Sequence, residues 1–290
     1  MTDTPSSPRS RPAPIIGAAP ADLDHAADVI RAGGLVAVPT ETVYGLAADA
    51  TNGKAVAAIF AAKQRPEFNP LISHVANLEM AARLADIPPL ARRLIDTFWP
   101  GPLTLVLPRA ATCPVSDLVT AGLSTIAVRQ PRNAAMTGII ERTGRPLAAP
   151  SANPSQSLSP TTAAHVAASL GAAIDLVIDG GQTTLGIESA IVDVSSETPI
   201  LLRHGALARH EIEAITGPLR VANSDTAITA PGMMRRHYAP RASLRLDALD
   251  HDPGEAYLAF GQPPSGVRAT LNLSADGDLA EAAANLFAML

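Results

Sequence analysis

A mixed α/β sheet covered by helices is the fold class this sequence predicts, and three observations predict it. Short Val/Ile/Leu-rich runs alternate with Ala-rich helical stretches along most of the chain. Some of those runs follow one another with only turn residues between them, so not every strand is preceded by a helix. Hydrophobic residues make up 47% of the 290, ample for one large domain or one domain plus a smaller one.

The first 14 residues, MTDTPSSPRSRPAP, have no apolar stretch behind their arginines, so they read as a disordered Pro/Ser tail rather than a secretory signal. Residues 21–34 read as a helix stopped by Gly33 and Gly34, and LVAVP (35–39) as a short buried strand. Asn52 can cap the helix GKAVAAIFAAK, which Pro66 ends. LISHV (71–75) is a strand, and LEMAARLA and PLARRLIDTFW are amphipathic helices. LTLVLP, STIAVR, RPLAAP, DLVIDG, SAIVDV and PILLRHG read as strands, with helices at about 132–143, 161–170 and 208–216 among them. The main domain is therefore 15–217. Residues 218–243 lack sustained periodicity and read as a linker. Beyond it, SLRLDALD, EAYLAFG, ATLNLS and the helix DLAEAAANLFAML make a smaller α/β piece over 244–290, which ends in an uncapped apolar helix and reads as incomplete.

Composition excludes several classes. The single cysteine, Cys113, rules out an internal disulfide and a multi-Cys zinc site, and fits a reducing cytoplasm. No run of 18 uncharged apolar residues predicts a membrane span. A net charge of −5 advertises no general polyanion surface. Of 22 basic residues only Lys54 and Lys63 are lysine, so a lysine in a suspicious place hints at a need for a compact ammonium.

Four stretches carry chemistry. In AAKQRPEFNPLISHV (61–75), Lys63 and Arg65 leave a helix two residues apart and can converge on one anion, with Pro66 and Pro70 restraining the connection. A solvated helix end explains Lys63 equally well but not Asn69 or His74; a lone His on an apolar strand is otherwise a structural, hydrogen-bonded residue. In VPTETVYGLAADA (38–50), two hydroxyls and a carboxylate stand at a strand end, where open α/β sheets bind ligands, or else cap local amides. In STIAVRQP, Thr125 and Arg129 share a strand face, and a buried Arg needs an anion, either a ligand's or an internal one. APSANPSQSLSPT (149–161) forms a donor-rich turn that suits phosphate oxygens or plain capping, and no Walker-type loop occurs. GIESAIVDV and ILLRHG put Ser189 and Arg203 near strand ends, and PGMMRRHYAP supplies a basic and aromatic clamp. No Ser-His-Asp or Cys-His nucleophile emerges. The set describes an anion cavity, fit for a nucleoside triphosphate and a small zwitterion.

The ordered motifs PTETVYGL, KQRP…NPL…H, STIAVRQP, PSANPS…SP, GIESAIVD and LLRHG resemble the YrdC-like threonylcarbamoyl-AMP synthases. The PGMMRRHYAP linker and the C-terminal stretch are similar to the two-domain form, at about half the usual C-terminal length. The resemblance implies a twisted mixed β-sheet curled around a positively charged cavity with flanking helices, a small Rossmann-like C-terminal domain, and a linker across the cavity mouth. It implies condensation of L-threonine, bicarbonate and ATP to threonylcarbamoyl-AMP and pyrophosphate, with a threonylcarbamoyl transferase complex passing the group to the adenosine beside a tRNA anticodon. Lys63, Arg65, Ser151 and Asn153 match the K-x-R and S-x-N signature and are the expected catalytic set. Arg65, Asn69, Thr125, Ser151, Ser159 and Arg203 match ATP positions, joined from the linker by His237 or Tyr238. Thr42, His74, Arg129, the Ala149 backbone and Ser189 match positions around threonine. Mg²⁺ is expected on the ATP phosphates without dedicated protein metal ligands; membrane association and stable DNA binding are not expected, and the location implied is cytoplasmic. Gln156 stands where the family usually has Gly. The competing expectation is a double-stranded-RNA-binding or ribosome-associated module without catalysis, which the charge and the 3% aromatic content disfavour.

Overall fold

The computed structural model describes residues 11–290 apart from 224–228, 234–237, 241, 251 and 253. In chain order its first elements are β1 (Ile15–Ile16), α1 (Pro20–Arg31), β2 (Val36–Val38), β3 (Gly45–Asp49), α2 (Gly53–Lys63) and β4 (Ile72–His74). Then come α3 (Leu78–Leu84), α4 (Pro89–Phe98), β5 (Leu103–Pro108), α5 (Asp117–Thr120), β6 (Thr125–Arg129), α6 (Ala134–Thr143) and β7 (Leu147–Ala148). The main sheet and its cover are completed by α7 (Ala163–Leu170), β8 (Leu176–Ile178), β9 (Ala190–Asp193), β10 (Ile200–Arg203), α8 (Arg209–Thr216) and β11 (Arg220–Val221).

Local chemistry sets most of these boundaries. Asn52 Oδ1 accepts from the Lys54 and Ala55 amides and starts α2. That helix ends in a left-handed Gln64 ahead of Pro66. Asn133 and Thr162 cap α6 and α7 in the same way as Asn52. The described residues contain an 11-stranded mixed sheet in the order β1-β8-β2-β3-β7-β4-β6-β5-β9-β10-β11. Strand β3 was not foreseen: GLAAD has no β-branched residue, and its pairing with β2 and β7 overrides its weak propensity.

Alternation then sorts side chains between two faces. On β6, Ile126 and Val128 join the large core beneath the helices, while Thr125, Ala127 and Arg129 project to the opposite face. There, Ile72, Val106, Ala127, Ile191 and Leu202 form a second, smaller apolar patch, and Ala230 of the linker is buried against it. The linker thus packs onto the face that carries Arg129.

Three boundaries differ from expectation. Order begins before residue 15: the Ala13 amide donates to Gly171 O, and the Val177 amide donates to Pro14 O. The stretch read as linker from 218 begins as strand β11, parallel to β10. In the C-terminal piece, SLRLDALD forms no strand among the described residues; β12 (Leu258–Ala259) and β13 (Leu271–Asn272) pair in parallel beside α9 (Leu279–Met289). Its alternating leucines are exposed, Leu244 at 54% and Leu246 at 80%, so no buried face rewards a strand.

Gln156 occupies a left-handed conformation, φ 73°, and its carbonyl accepts from the Ala239 amide where the linker meets the 151–160 turn. Relieving a non-glycine residue there is worth about 1–2 kcal/mol, against about 0.5–1 kcal/mol for glycine's extra chain entropy. Gln156→Gly is therefore expected to raise stability by up to about 1 kcal/mol in urea unfolding. A loss of stability would show that the glutamine side chain itself contributes.

Candidate active site

A cavity of about 460 Å³, counted with its open mouth, lies on the linker side of the sheet. Arg65, Arg129 and Arg203 reach its walls together with Thr42, His74, Ala149 and Ser151. Seven of the residues singled out in the sequence therefore meet in one concavity, drawn from six separate segments of the chain.

At one end stands Arg129, buried at the close of β6. Its Nε donates to Gly101 O at 3.1 Å and its Nη1 to Thr42 Oγ1 at 3.0 Å. Its Nη2 lies 2.7 Å from Glu41 Oε1, in an ion pair whose hydrogen is off line for a hydrogen bond. The internal anion that a buried Arg requires is thus Glu41, yet the guanidinium still faces the cavity. His74 sits in register with Arg129 across the parallel β4–β6 ladder. Burial, and then Arg129, push its imidazole down to about 3, so it is neutral at pH 7 and can still make hydrogen bonds.

At the other end the connection after α2 folds back on itself. Arg65 donates to Asn69 O at 3.3 Å and Pro70 O at 3.0 Å, which presents its guanidinium to the cavity. Burial and the neighbouring Arg203 lower its affinity for the proton to a value of about 10. Arg203 is aimed by Ser189: Nε donates to Ser189 O and Nη2 to Ser189 Oγ, both at 3.0 Å. Ser189 Oγ is in turn 2.8 Å from Thr104 Oγ1. Glu188 Oε2 lies 3.5 Å from Arg203, and its Oε1 accepts from Ser159 Oγ at 2.7 Å. Tyr238 is stacked on Phe287 of α9, ring centroids 5.4 Å apart, and burial followed by the charge of Glu188 pushes its phenol up.

Lys63 does something other than the expected sharing of one anion with Arg65. Its Nζ donates to the carbonyls of Ser151 and Asn153, and the Ser155 amide donates to Lys63 O. Asn153 Nδ2 closes the same turn on Ser157 O at 2.8 Å. Lysine and turn are one unit, with the ammonium beneath it and Ser151 on the cavity wall. A compact ammonium serves three acceptors that a planar guanidinium could not all reach.

Burial, reinforced by Arg65, pushes the Lys63 ammonium from 10.5 down to about 7. Unfolding releases that constraint, so between about 7 and 10.5 the unfolded chain binds more protons and stability rises with pH. Below that window the cost of burying the charge is fully present. Lys63→Met is expected to lose this rise, so that wild type gains on the variant between about pH 6 and about pH 9.5 in urea unfolding. A difference independent of pH would contradict it.

The remaining expected residues lie behind the wall. Asn69, Ser159 and Ser189 are buried and support Arg65, Glu188 and Arg203. Thr125 is at the far end of β6 from Arg129 and does not line the cavity. His237 lies outside the described residues. Sequence reasoning noted the Glu41 carboxylate at its strand end without pairing it with Arg129, and passed over Glu188, since carboxylates look misplaced in an anion site. The signal was there: a buried arginine calls for an acidic partner, and both acids adjoin residues already singled out. Among the described residues no group of three or more His, Cys, Asp and Glu side chains could hold a metal, and no helix is long and apolar enough to cross a membrane.

Residues 28–205 match the Sua5–YciO–YrdC family model, described as "Telomere recombination", and residues 207–290 match the Sua5 C-terminal model, described as "Threonylcarbamoyl-AMP synthase, C-terminal domain". Over 226 residues, 76% of this chain, the sequence is 49% identical to the threonylcarbamoyl-AMP synthase of Pyrococcus abyssi. Over 229 residues, 77% of this chain, it is 43% identical to the threonylcarbamoyl-AMP synthase of Bacillus subtilis. The chain spans 66% of the length of each of these relatives, just under two thirds. A crystal structure of P. abyssi Sua5 complexed with L-threonine superimposes with a TM-score of 0.85 at 40% identity, over 95% of this chain and 87% of that one.

Proposed function

The chain belongs to the Sua5–YciO–YrdC family, and from that premise we propose that it is an L-threonylcarbamoyladenylate synthase, condensing L-threonine, bicarbonate and ATP to threonylcarbamoyl-AMP and pyrophosphate. One observation carries the reading: Arg65 and Arg203 face the same cavity as the Arg129–Thr42–His74 group, in a chain that superimposes on a relative crystallised with L-threonine.

In this reading the threonine nitrogen bonds the bicarbonate carbon with loss of water, and the resulting carbamate attacks the α-phosphorus of ATP. A P–O bond forms to the carbamate, the bond to the β-phosphate bridge breaks, and pyrophosphate leaves with the electron pair. The protein aligns two anions and offsets their repulsion, which is work for position and electrostatics. Arg65 and Arg203 would take the phosphate charge. Ser151, set by Lys63 and Asn153, would bond a phosphate or ribose oxygen. On the proposed ATP side Asn69 acts through Arg65 and Ser159 through Glu188, Tyr238 and His237 are the linker residues expected to join them, and the position of Thr125 gives it no direct contact. Thr42, His74, Arg129 and the Ala149 backbone would hold threonine, with Ser189 acting through Arg203. Mg²⁺ belongs to the proposal as a neutraliser of phosphate charge. Glu188, the one carboxylate among the described lining residues, is committed to Ser159 and Arg203, which suits an ion held by phosphate and water. A tRNA-modifying threonylcarbamoyl transferase complex would consume the product, in the cytoplasm.

Purified protein given ATP, threonine, bicarbonate and Mg²⁺ should release pyrophosphate only when threonine is present. Release that ignores threonine, or none at all, would overturn the assignment. An RNA-binding module would instead show affinity that falls steeply with salt and no turnover; arginines buried within a cavity are poorly placed to grip a duplex.

A further inference from the structure

We propose that Glu41 is a specificity-determining positioning residue: by neutralising Arg129 it gives the cavity one uncharged end, which accepts a zwitterionic amino acid and turns away free oxyanions. The identity of the amino acid rests on the function proposed above; the division of charge does not.

The Glu41 carboxylate is nearly inaccessible, its side chain 7% exposed, and neither oxygen accepts a hydrogen bond from the described residues. Its one described partner is Arg129. Burying a carboxylate without hydrogen bonds is costly, and ion pairs of this kind are weak sources of stability. Nor does the loop need the carboxylate to hold its shape. The Leu185 amide and Thr184 Oγ1 both donate to the Glu41 carbonyl. Thr40 Oγ1 accepts from the Val43 amide and donates to Val43 O. Backbone and threonine hydroxyls fix residues 40–43, so the acid's remaining effect falls on Arg129.

The far end is built differently. Arg65 and Arg203 share a single carboxylate, Glu188, whose nearer oxygen to Arg203 is 3.5 Å away while the other is taken by Ser159. That end keeps a net positive charge, whereas Arg129 with Glu41 keeps none, and His74 beside them adds none. On the sheet, Arg129 on β6 and Arg203 on β10 are three strand spacings apart, about 14 Å if flat. The gradient matches two unlike substrates: a polyanion for the charged end and a net-neutral zwitterion for the other. An unpaired Arg129 would offer phosphate, pyrophosphate or a second nucleotide a rival seat where the amino acid belongs.

Inorganic sulfate is the probe. In wild type, sulfate should inhibit pyrophosphate release competitively with ATP and not with threonine. In Glu41→Gln, sulfate should compete with threonine as well, with an inhibition constant against threonine at least ~10-fold below that of wild type. Glu41→Asp should restore the wild-type pattern, which a merely structural role for Glu41 would not predict. Calorimetric titration with sulfate counts sites without any turnover: one in wild type, two in Glu41→Gln. Sulfate that competes with threonine in wild type, or a pattern and site count unchanged in Glu41→Gln, overturns the proposal. If Glu41→Gln does not fold, the wild-type competition pattern decides alone. Wild type without threonine-dependent turnover would sink the proposed reaction, and the calorimetric count would still judge the charge division.

Discussion

Replacing Arg65 with alanine should lower threonine-dependent pyrophosphate release by at least ~10²-fold, the usual loss when one donor to developing negative charge is removed. The guanidinium is prepared for that task before any substrate arrives. Two carbonyls, Asn69 O and Pro70 O, hold it, and the burial that depresses its proton affinity also strips away the water that would otherwise screen it. Arg65→Lys keeps a charge but loses the fork, so the two carbonyls and the ligand compete for one ammonium and only part of the rate returns. The effect should fall on kcat and on the KM for ATP. The KM for threonine should stay near wild type, because Arg129 is held by Gly101, Thr42 and Glu41. Steady-state kinetics with each substrate varied in turn separates these outcomes. Unchanged turnover in Arg65→Ala would remove Arg65 from the machinery.

Gly205→Ala should be nearly as damaging, from a position with no polar group at all. A Cβ there would lie 2.2 Å from Ala190 N, 2.3 Å from Ser189 C and 2.5 Å from Glu188 O. These are backbone atoms and cannot rotate aside as a long side chain would. The Ala206 amide also donates to Glu188 O at 2.8 Å, so the two segments are tied at the point of closest approach. Making room means moving residues 188–190, which carry the serine that aims Arg203 and the acid that pairs with it. Overpacking of this kind costs about 3 kcal/mol at the upper end of its usual range. Urea unfolding should register that loss, and the KM for ATP should rise in the surviving folded fraction. Stability equal to wild type would mean that the two segments part more easily than their spacing implies.

Much of the fold was legible because the chain punctuates itself. Asn52 announces its helix through cap chemistry, and Val/Ile/Leu runs bounded by Gly and Pro announce strands. The strand GLAAD was illegible since small residues state no preference and only its neighbours decide. The leucines of SLRLDALD misled in the opposite sense, since alternation without a face to bury is no strand signal. In the site, the arginines were legible through their cost: a guanidinium inside an apolar strand demands an explanation. The role of Lys63 was not, because one ammonium donating to carbonyls of a distant turn cannot be distinguished, by spacing alone, from one that grips a phosphate. The arginine partners of Glu41 and Glu188 escaped for the reason that makes those acids informative, their sign being opposite to that of the expected surroundings.

The sheet order has a consequence for biosynthesis. Strand β8 lies hydrogen-bonded between β1 and β2, although it is made long after both, and the cavity draws its walls from Thr40 through to Pro231. A nascent chain therefore leaves β1 and β2 unbridged until β8 has left the ribosome, and has no complete ligand site until Arg203 and Pro231 have followed. Substrates cannot template the early steps of folding, and chains that stop short of Arg203 would carry the Arg129 end of the cavity with only Arg65 of the opposing pair of arginines.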